Sequence, residues 1–150
     1  PAIGYLLQHT AAILGRQSDQ VLQERLGIGM SQYRILMMLQ VRPNIQQRKL
    51  ADSLGQTEAS ISRQIKLLTD KGLLATHINP KSRREHLALP TAKGIKITDA
   101  AQEVLTNYHT PLLESLTDKQ RDLLLETLTT FHKHICSPSR PFACDHPFDI

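Results

Sequence analysis

The fold is decided by residues 46–89, QQRKLADSLGQTEASISRQIKLLTDKGLLATHINPKSRREHLAL. The first nine residues predict a short amphipathic helix, because their apolar side chains recur at helical spacing. Gly55 then predicts a turn, since glycine adopts backbone angles that other residues avoid. Thr57 predicts the start of a second helix, because its hydroxyl can accept from an otherwise unpaired backbone N–H. The inward face of this second helix is predicted to consist of Ile61, Ile65 and Leu68.

A basic hairpin is predicted directly after the second helix. Gly72 lies where a helix C-terminus favours a left-handed residue. Strand-like runs at 73–78 and 85–89 flank a turn at 79–84 that carries three cations. Two helices around a glycine are common in helical proteins, so the basic hairpin that follows them is the more informative feature. Together these parts predict a winged helix-turn-helix, in which the second helix enters a DNA groove and the hairpin contacts the neighbouring one.

The predicted DNA contacts follow from the outward face of the second helix and from the wing. Arg63 is the predicted base reader, since a guanidinium can donate to both O6 and N7 of guanine. Lys66 is predicted to contact phosphate, which positions a protein without specifying sequence. An arginine at the wing can enter a narrow minor groove. The full predicted set is Gln46, Gln56, Thr57, Ser60, Arg63, Gln64, Lys66, Lys81, Arg83 and Arg84.

Composition agrees with a DNA-binding protein and excludes several other classes. The chain has 150 residues and a net charge of +4, which favours polyanionic partners. Aromatic residues make up only 4% of it, with no Trp, which argues against stacking on single-stranded bases. The sequence shows neither an 18-residue apolar stretch nor a signal-peptide pattern. With only two cysteines, it is expected to be a cytoplasmic protein.

Helices are also predicted on both sides of the winged helix. A nearly heptad apolar stripe predicts a helix over residues 3–26, and a helix over 31–41 is predicted to be ordinary core. After the hairpin, Thr91 can cap a long helix that Pro111 should kink or break. Thr117, followed three residues later by a glutamine, predicts a capping box for a last helix that reaches residue 135.

The predicted fold is mainly α with a small β-hairpin wing. We assign the winged helix-turn-helix to residues 31–90, a helical dimerisation region to 1–30 and 91–136, and an irregular tail to 137–150. The long apolar helices outside the winged helix need a further surface to cover them, and a two-fold partner supplies one. The terminal helices are therefore predicted to form a dimerisation base through Leu7, Leu14, Val21, Leu124, Leu128 and Phe131.

Six segments of the sequence resemble those of one protein family. They are SQYRIL at 31–36, QRKLA at 47–51, TEASISRQI at 57–65, KGLL at 71–74, RR at 83–84 and TAKG at 91–94. Together they resemble the MarR family of transcriptional regulators. The resemblance implies a homodimer of winged helices, usually a repressor, that binds short pseudo-palindromic operators. Small aromatic or phenolic ligands, or oxidation, often release such proteins from DNA.

Two positions depart from the family's pattern. The family usually has an Asp before the paired wing arginines, where this chain has Ser82, and Leu-Thr where it has Pro90-Thr91. By resemblance, Arg84 is the more important wing arginine, and the usual Asp would hold it by a charge-assisted hydrogen bond. A serine hydroxyl is about half as strong a partner. We therefore expect a more mobile wing that adds affinity more than specificity.

By the same resemblance, an effector would lie between the dimer helices and the winged helix. Arg16, Tyr33 and Tyr108 are the polar and aromatic residues predicted to line that space. The predicted ligand is an aromatic carboxylate or a phenol, with Arg16 pairing an anion and Tyr33 packing against the ring. The alternative is that both tyrosines are core residues.

The alternative function is a zinc- or redox-responsive regulator. His132 and Cys136 could share a helix face, with Cys144 and His146 nearby in the sequence, but their spacing matches no compact zinc motif. Cys136 and Cys144 are also close enough in sequence to form a disulfide if the tail is mobile. No Gly-rich phosphate loop, nucleophile elbow or carboxylate pair stands out. We therefore predict no metal, no cofactor and no enzymatic activity.

Overall fold

A computed structural model describes residues 2–135 of the chain. Within them it contains six helices and one two-stranded antiparallel sheet. In chain order the elements are α1 (Ile3–Leu26), α2 (Met30–Val41), α3 (Gln47–Leu54), α4 (Glu58–Asp70), β1 (Leu74–Asn79), β2 (Ser82–Pro90), α5 (Ala92–Glu114) and α6 (Asp118–Ile135). This arrangement confirms the predicted fold class, mainly α with a β-hairpin wing.

Three threonines begin helices as the sequence predicts. The Thr57 hydroxyl accepts from the backbone N–H of Ser60 at 3.2 Å and so caps α4. The Thr91 hydroxyl likewise accepts from the N–H of Gly94 and caps α5. At α6 the capping box is reciprocal: the N–H of Thr117 donates to Gln120 Oε1 at 2.9 Å, and the N–H of Gln120 donates to the Thr117 hydroxyl at 3.3 Å. Each cap satisfies donors that the helix itself leaves unpaired.

One apolar core joins the winged helix to the C-terminal half of α1 and to α5. The predicted inward residues Ile61, Ile65 and Leu68 are all buried in it, which fixes the outward face of α4. The core helix predicted at 31–41 is also confirmed, with five buried side chains on α2. Fully buried members of the core include Leu22, Ile35, Leu36, Leu39, Leu50, Ile61, Leu68 and Ala101.

The start of helix α5 is in direct contact with the short segment that joins α4 to β1. The N–H of Thr91 donates to the Leu73 carbonyl at 3.1 Å, and the Thr91 hydroxyl donates to the Gly72 carbonyl at 2.7 Å. Gly94 lies so close that a Cβ there would be 2.0 Å from the Leu73 oxygen. The approach holds the wing against α5, and only glycine permits it.

Pro111 does not break α5, so of the two predicted effects, a kink or a break, the break is wrong. The helix is continuous from Ala92 to Glu114. Pro111 removes the N–H that the carbonyl of Asn107 would otherwise accept from, but both residues are exposed. Water can therefore satisfy that carbonyl, which lowers the cost of a proline within the helix.

The wing turn is shorter than the predicted turn at 79–84. Asn79 pairs with Ser82 across the hairpin, which leaves Pro80 and Lys81 as the turn. The Asn79 side chain stabilises this arrangement, since it accepts from the N–H of Lys81 at 3.0 Å and donates to the Glu85 carboxylate. The register shifts between Ile78 and Asn79. Arg83 and Arg84 consequently belong to the irregular part of β2 rather than to the turn.

Candidate nucleic-acid interface

Helices α3 and α4 form the helix-turn-helix. Gly55 joins them with a φ of 62°, and its N–H donates to the Asp52 carbonyl. This left-handed conformation suits glycine, since a side chain would be strained there. Because Ile61 and Ile65 anchor α4 in the core, its opposite face is exposed and carries Arg63.

Three of the predicted DNA-contacting side chains are tied to other parts of the protein. Gln56 donates through Nε2 to the Ser31 hydroxyl at 3.0 Å, and the Ser60 hydroxyl donates to Gln56 Oε1 at 3.4 Å. Gln64 Oε1 accepts from Gln32 Nε2 at 3.1 Å. All three predicted residues are only half-exposed. They are therefore held by α2 or by the turn.

The cations of the predicted interface are exposed on α4 and the wing. Lys66 forms an ion pair with Asp70 at 3.1 Å, and both side chains are mostly in solvent, so the pair contributes little stability. Within residues 2–135, no hydrogen bond or ion pair holds the guanidinium group of Arg63, Arg83 or Arg84. The exposed predicted contacts are Gln46, Thr57, Arg63, Lys66, Lys81, Arg83 and Arg84.

A recess of about 580 Å³ separates the start of α4 from the wing. It brings the predicted residues Gln46 and Arg84 together on one surface. Gln47 bridges the two sides, since its Nε2 donates to the His86 carbonyl at 3.4 Å. The recess is lined by Gln46, Gln47, Glu58, Ser62, Ser82, Arg84, Glu85 and His86. Helix α4 and the wing are thus two walls of the same surface.

Sequence reasoning missed Glu58 and Ser62 as parts of this surface. Both are exposed on α4 and line the recess opposite Arg84. Glu58 is the first residue of α4, and Ser62 follows it by one helical turn. The i, i+4 spacing could have placed them on one face. The predicted set consisted of cations, amides and the hydroxyls of Thr57 and Ser60, and it included neither residue.

The three predicted effector residues lie apart in the chain. Tyr33 is buried, burial raises its pKa above the ordinary value, and it lines a cavity of about 440 Å³ between α2 and α5. Tyr108 lines a different cavity, of about 300 Å³, against α1. Arg16 is exposed on α1 and lines neither.

The terminal helices expose a large apolar surface. Within the described residues, α6 has no buried side chain, and Leu124, Leu128 and Phe131 are about two-fifths exposed. Leu7 on α1 is exposed to the same degree, whereas Leu14 is half-buried and Val21 belongs to the chain's own core. Single exposed leucines are common, but so many exposed apolar side chains on two helices are typical of an interaction surface.

The alternative chemistries fall largely outside the described residues, because Cys136, Cys144 and His146 lie there. Among residues 2–135, no group of three or more His, Cys, Asp or Glu side chains is placed to hold a metal ion. In the same range, no helix has the length and apolar character that crossing a membrane would require.

Comparison with known proteins identifies the family. Residues 26–85 match the MarR family model, and the fold is that of solved MarR-family structures. The comparison therefore confirms the resemblance to the MarR family over residues 26–85. Members of this family are transcriptional regulators rather than enzymes, and the described fold of this chain is their winged-helix fold.

The curated relatives of this chain are distant from it in sequence. It is 23% identical over 109 residues to the uncharacterized HTH-type transcriptional regulator YdgJ of Bacillus subtilis. That alignment covers 73% of this chain and 66% of YdgJ. It is 23% identical over 95 residues to the transcriptional regulator HosA of Escherichia coli O111:H-, which covers 63% of this chain and 70% of that protein. The chain thus spans just under two thirds of the first relative's length.

Solved structures match the fold more completely. A mutant of MarR from E. coli superimposes with a TM-score of 0.79 at 20% identity, covering 87% of this chain and 96% of that one. The S. aureus MepR–DNA complex superimposes with a TM-score of 0.73 at 20% identity, covering 89% of this chain and 98% of that one. The repressor CouR, bound to a 23-mer DNA duplex, superimposes with a TM-score of 0.75 at 24% identity, covering 87% of this chain and 92% of that one.

Proposed function

We propose that this chain is a homodimeric repressor that binds a pseudo-palindromic operator in double-stranded DNA and is released by a small aromatic effector. The observation that carries the proposal is the position of Arg63 on the exposed face of α4, the helix that is followed by a wing with exposed cations. An exposed arginine on a helix of this shape can reach guanine in the major groove while the wing contacts the backbone. The structures of MepR with DNA and of CouR with a duplex support this use of the fold.

The apolar surface of the terminal helices supports the dimer. Residues 3–26 and 117–135 are proposed to interleave with those of a second copy, which would cover Leu7, Leu124 and Leu128. A two-fold interface buries the same patch on both chains. The two copies of α4 would then meet successive major grooves about 10 base pairs apart.

Selection from a random pool of duplexes tests the proposed function. We expect the purified protein to enrich a pseudo-palindrome with two matching half-sites. Placing that sequence between a promoter and a reporter should lower transcription when the protein is present. Enrichment of no symmetric sequence would contradict operator binding, and increased transcription would contradict the repressor role alone.

The Tyr33 cavity is the proposed effector site. Its walls combine apolar side chains with polar ones, contributed by Met37, Gln40, Val41, Thr98, Asp99 and Gln102. None of these lining residues is a cation, and Asp99 is a carboxylate. Arg16 does not line this cavity, so we propose a phenol as the effector and not an aromatic carboxylate. A neutral phenol fits because it can hydrogen-bond to the lining groups without an anion facing Asp99.

The effector prediction can be checked with 4-methylphenol and 4-methylbenzoate, which share a ring and differ in charge. At millimolar concentration the phenol should raise the melting temperature and weaken operator binding, and the benzoate should do neither. Release requires tighter binding to the DNA-free state. Tyr33→Phe should remove the response to the phenol while the protein still binds its operator. Equal responses to both compounds, or none, would exclude this ligand class.

Replacing Arg63 by alanine should relax one position of the operator. Loss of a bidentate guanine contact costs on the order of 1–3 kcal/mol per site. Lys96→Ala removes an exposed cation on α5 and provides the matched control. Binding titrations should show weaker binding of Arg63→Ala to the selected operator and little change for the control. If Arg63→Ala selects the same sequence as the wild type, Arg63 does not read bases.

Replacing Arg84 by alanine should weaken operator and nonspecific binding alike. Arg84 is exposed on the wing and has no partner within residues 2–135, so we expect it to contribute charge more than base recognition. The slope of log affinity against log salt should fall by about one phosphate equivalent. Ser82→Asp should strengthen binding if a fixed Arg84 outweighs the added negative charge. Titrations at several salt concentrations decide both, and unchanged affinity of Arg84→Ala at every salt would remove Arg84 from the interface.

A further inference from the structure

The first turns of α4 hold few polar side chains that are available to DNA. The Thr57 hydroxyl caps the helix, the Ser60 hydroxyl is bonded to Gln56, and Gln64 is bonded to α2. Glu58 differs from them. It is the first residue of α4, it is exposed, and within residues 2–135 its carboxylate has neither a hydrogen bond nor an ion pair.

The surroundings of Glu58 restrict the groups of DNA that its carboxylate can contact in a complex. Its recess also holds Glu85, whose carboxylate already accepts from Asn79 Nδ2, and Arg84, which is on the opposite wall. A phosphate beside Glu58 would be repelled by its charge. A carboxylate at a DNA surface is therefore tolerated only where it faces hydrogen-bond donors, and in the major groove these donors are base amino groups.

Of the two bases with such an amino group, cytosine suits a carboxylate better. Cytosine presents the N4 amino group as its hydrogen-bonding group in the major groove. Adenine presents its N6 amino group beside the N7 acceptor, which would face the second carboxylate oxygen and repel it. The N-terminal residues of a recognition helix are also those that contact base edges.

We propose that Glu58 is a specificity-determining residue that accepts a hydrogen bond from cytosine N4 in each half-site, an inference that rests on the proposed operator binding. Glu58 and Arg63 are five residues apart, or about 7.5 Å along the helix axis. Each half-site therefore contains a cytosine for Glu58 at a base pair different from the guanine for Arg63. Glu58 would thus contact the cytosine of one C·G pair, and Arg63 would contact the guanine of another.

Glu58 also lies where an acidic residue stabilises a helix start. That role affects the stability of α4 but creates no preference among bases. Base preference is therefore the readout that separates the two roles. Glu58→Gln keeps the size of the side chain, and an amide favours adenine, to which it can both donate and accept.

The experiment compares wild type, Glu58→Gln and Glu58→Ala, with Glu103→Gln on α5 as the matched control. Each protein first selects its operator from a random pool, and the position at which Glu58→Ala loses its preference is assigned to Glu58. Dissociation constants are then measured for that operator with each of the four bases at this position. The wild type and the control should bind cytosine about tenfold more tightly per half-site than the other bases.

Glu58→Ala should bind all four operators within about twofold of one another, and Glu58→Gln should prefer adenine. Melting temperatures establish that each variant is folded. The inference is overturned if Glu58→Ala keeps the wild-type base preference at every position, including the case in which it only binds all DNA more tightly. Failure of the wild type to select any symmetric sequence is a separate result, because it contradicts the proposed function itself.

Discussion

Leu128→Asp is expected to convert the proposed dimer to monomers and to remove tight operator binding with it. Leu128 is 41% exposed in the single chain, so the substitution leaves the chain's own core intact. In a two-fold dimer it would bury one charge from each chain without a partner, which is strongly unfavourable. We expect the dimer dissociation constant to rise at least 100-fold, or about 3 kcal/mol.

The matched control for this substitution is Ile78→Asp. Ile78 is also an exposed apolar residue, at 54%, but it lies on β1 of the wing. Sedimentation at micromolar concentration should show a monomer for Leu128→Asp and a dimer for both the wild type and Ile78→Asp. A dimeric Leu128→Asp, or a monomeric wild type, would show that α6 does not form the interface.

Gly94→Ala is expected to be the most destabilising single-methyl change within the fold. The added Cβ would lie 2.0 Å from the Leu73 carbonyl oxygen, which is backbone and cannot rotate away. Overpacking of this kind costs about 3 kcal/mol, and the gain in helix propensity from alanine returns about 1 kcal/mol. The free energy of unfolding should therefore fall by about 2 kcal/mol, as measured by denaturant titration.

Gly15→Ala provides the control for this prediction. Gly15 lies within α1, and a Cβ there would meet nothing within 4 Å in the single chain. Its propensity gain is unopposed, so the variant should be more stable than the wild type by about 0.5–1 kcal/mol. If Gly94→Ala is as stable as Gly15→Ala, the close approach of α5 to Leu73 is not a feature of the folded protein.

The parts of the fold that depend on nearby residues could be predicted from the sequence. The caps at Thr57, Thr91 and Thr117 act over three residues, and the buried face of α4 follows from spacings of three and four. The wing turn could not be predicted, because the pairing of Asn79 with Ser82 depends on side-chain hydrogen bonds of Asn79 within the hairpin. The continuity of α5 through Pro111 depends on exposure, which composition does not show.

Part of the candidate site could likewise be predicted from the sequence, and part depends on contacts between distant residues. The exposure of Arg63 follows from helical periodicity alone. The hydrogen bonds that hold Gln56 and Gln64 come from Ser31 and Gln32 of α2, residues that are 25 and 32 positions away in the chain. Glu58 was missed because a search for DNA contacts favours cations and amides. Glu58 lines the same recess as Arg84, a relation between α4 and the wing that depends on the tertiary fold.

The most direct test of the central proposal is the architecture of the complex with the selected operator. The central proposal is that two copies of α4 enter successive major grooves of one duplex. The mass of the complex in solution gives the number of chains, and a footprint at single-base resolution gives the protected positions. We expect two chains per duplex, with two protected segments centred about 10 base pairs apart on one face of the DNA. One chain per duplex, or a single protected segment, would contradict the proposal.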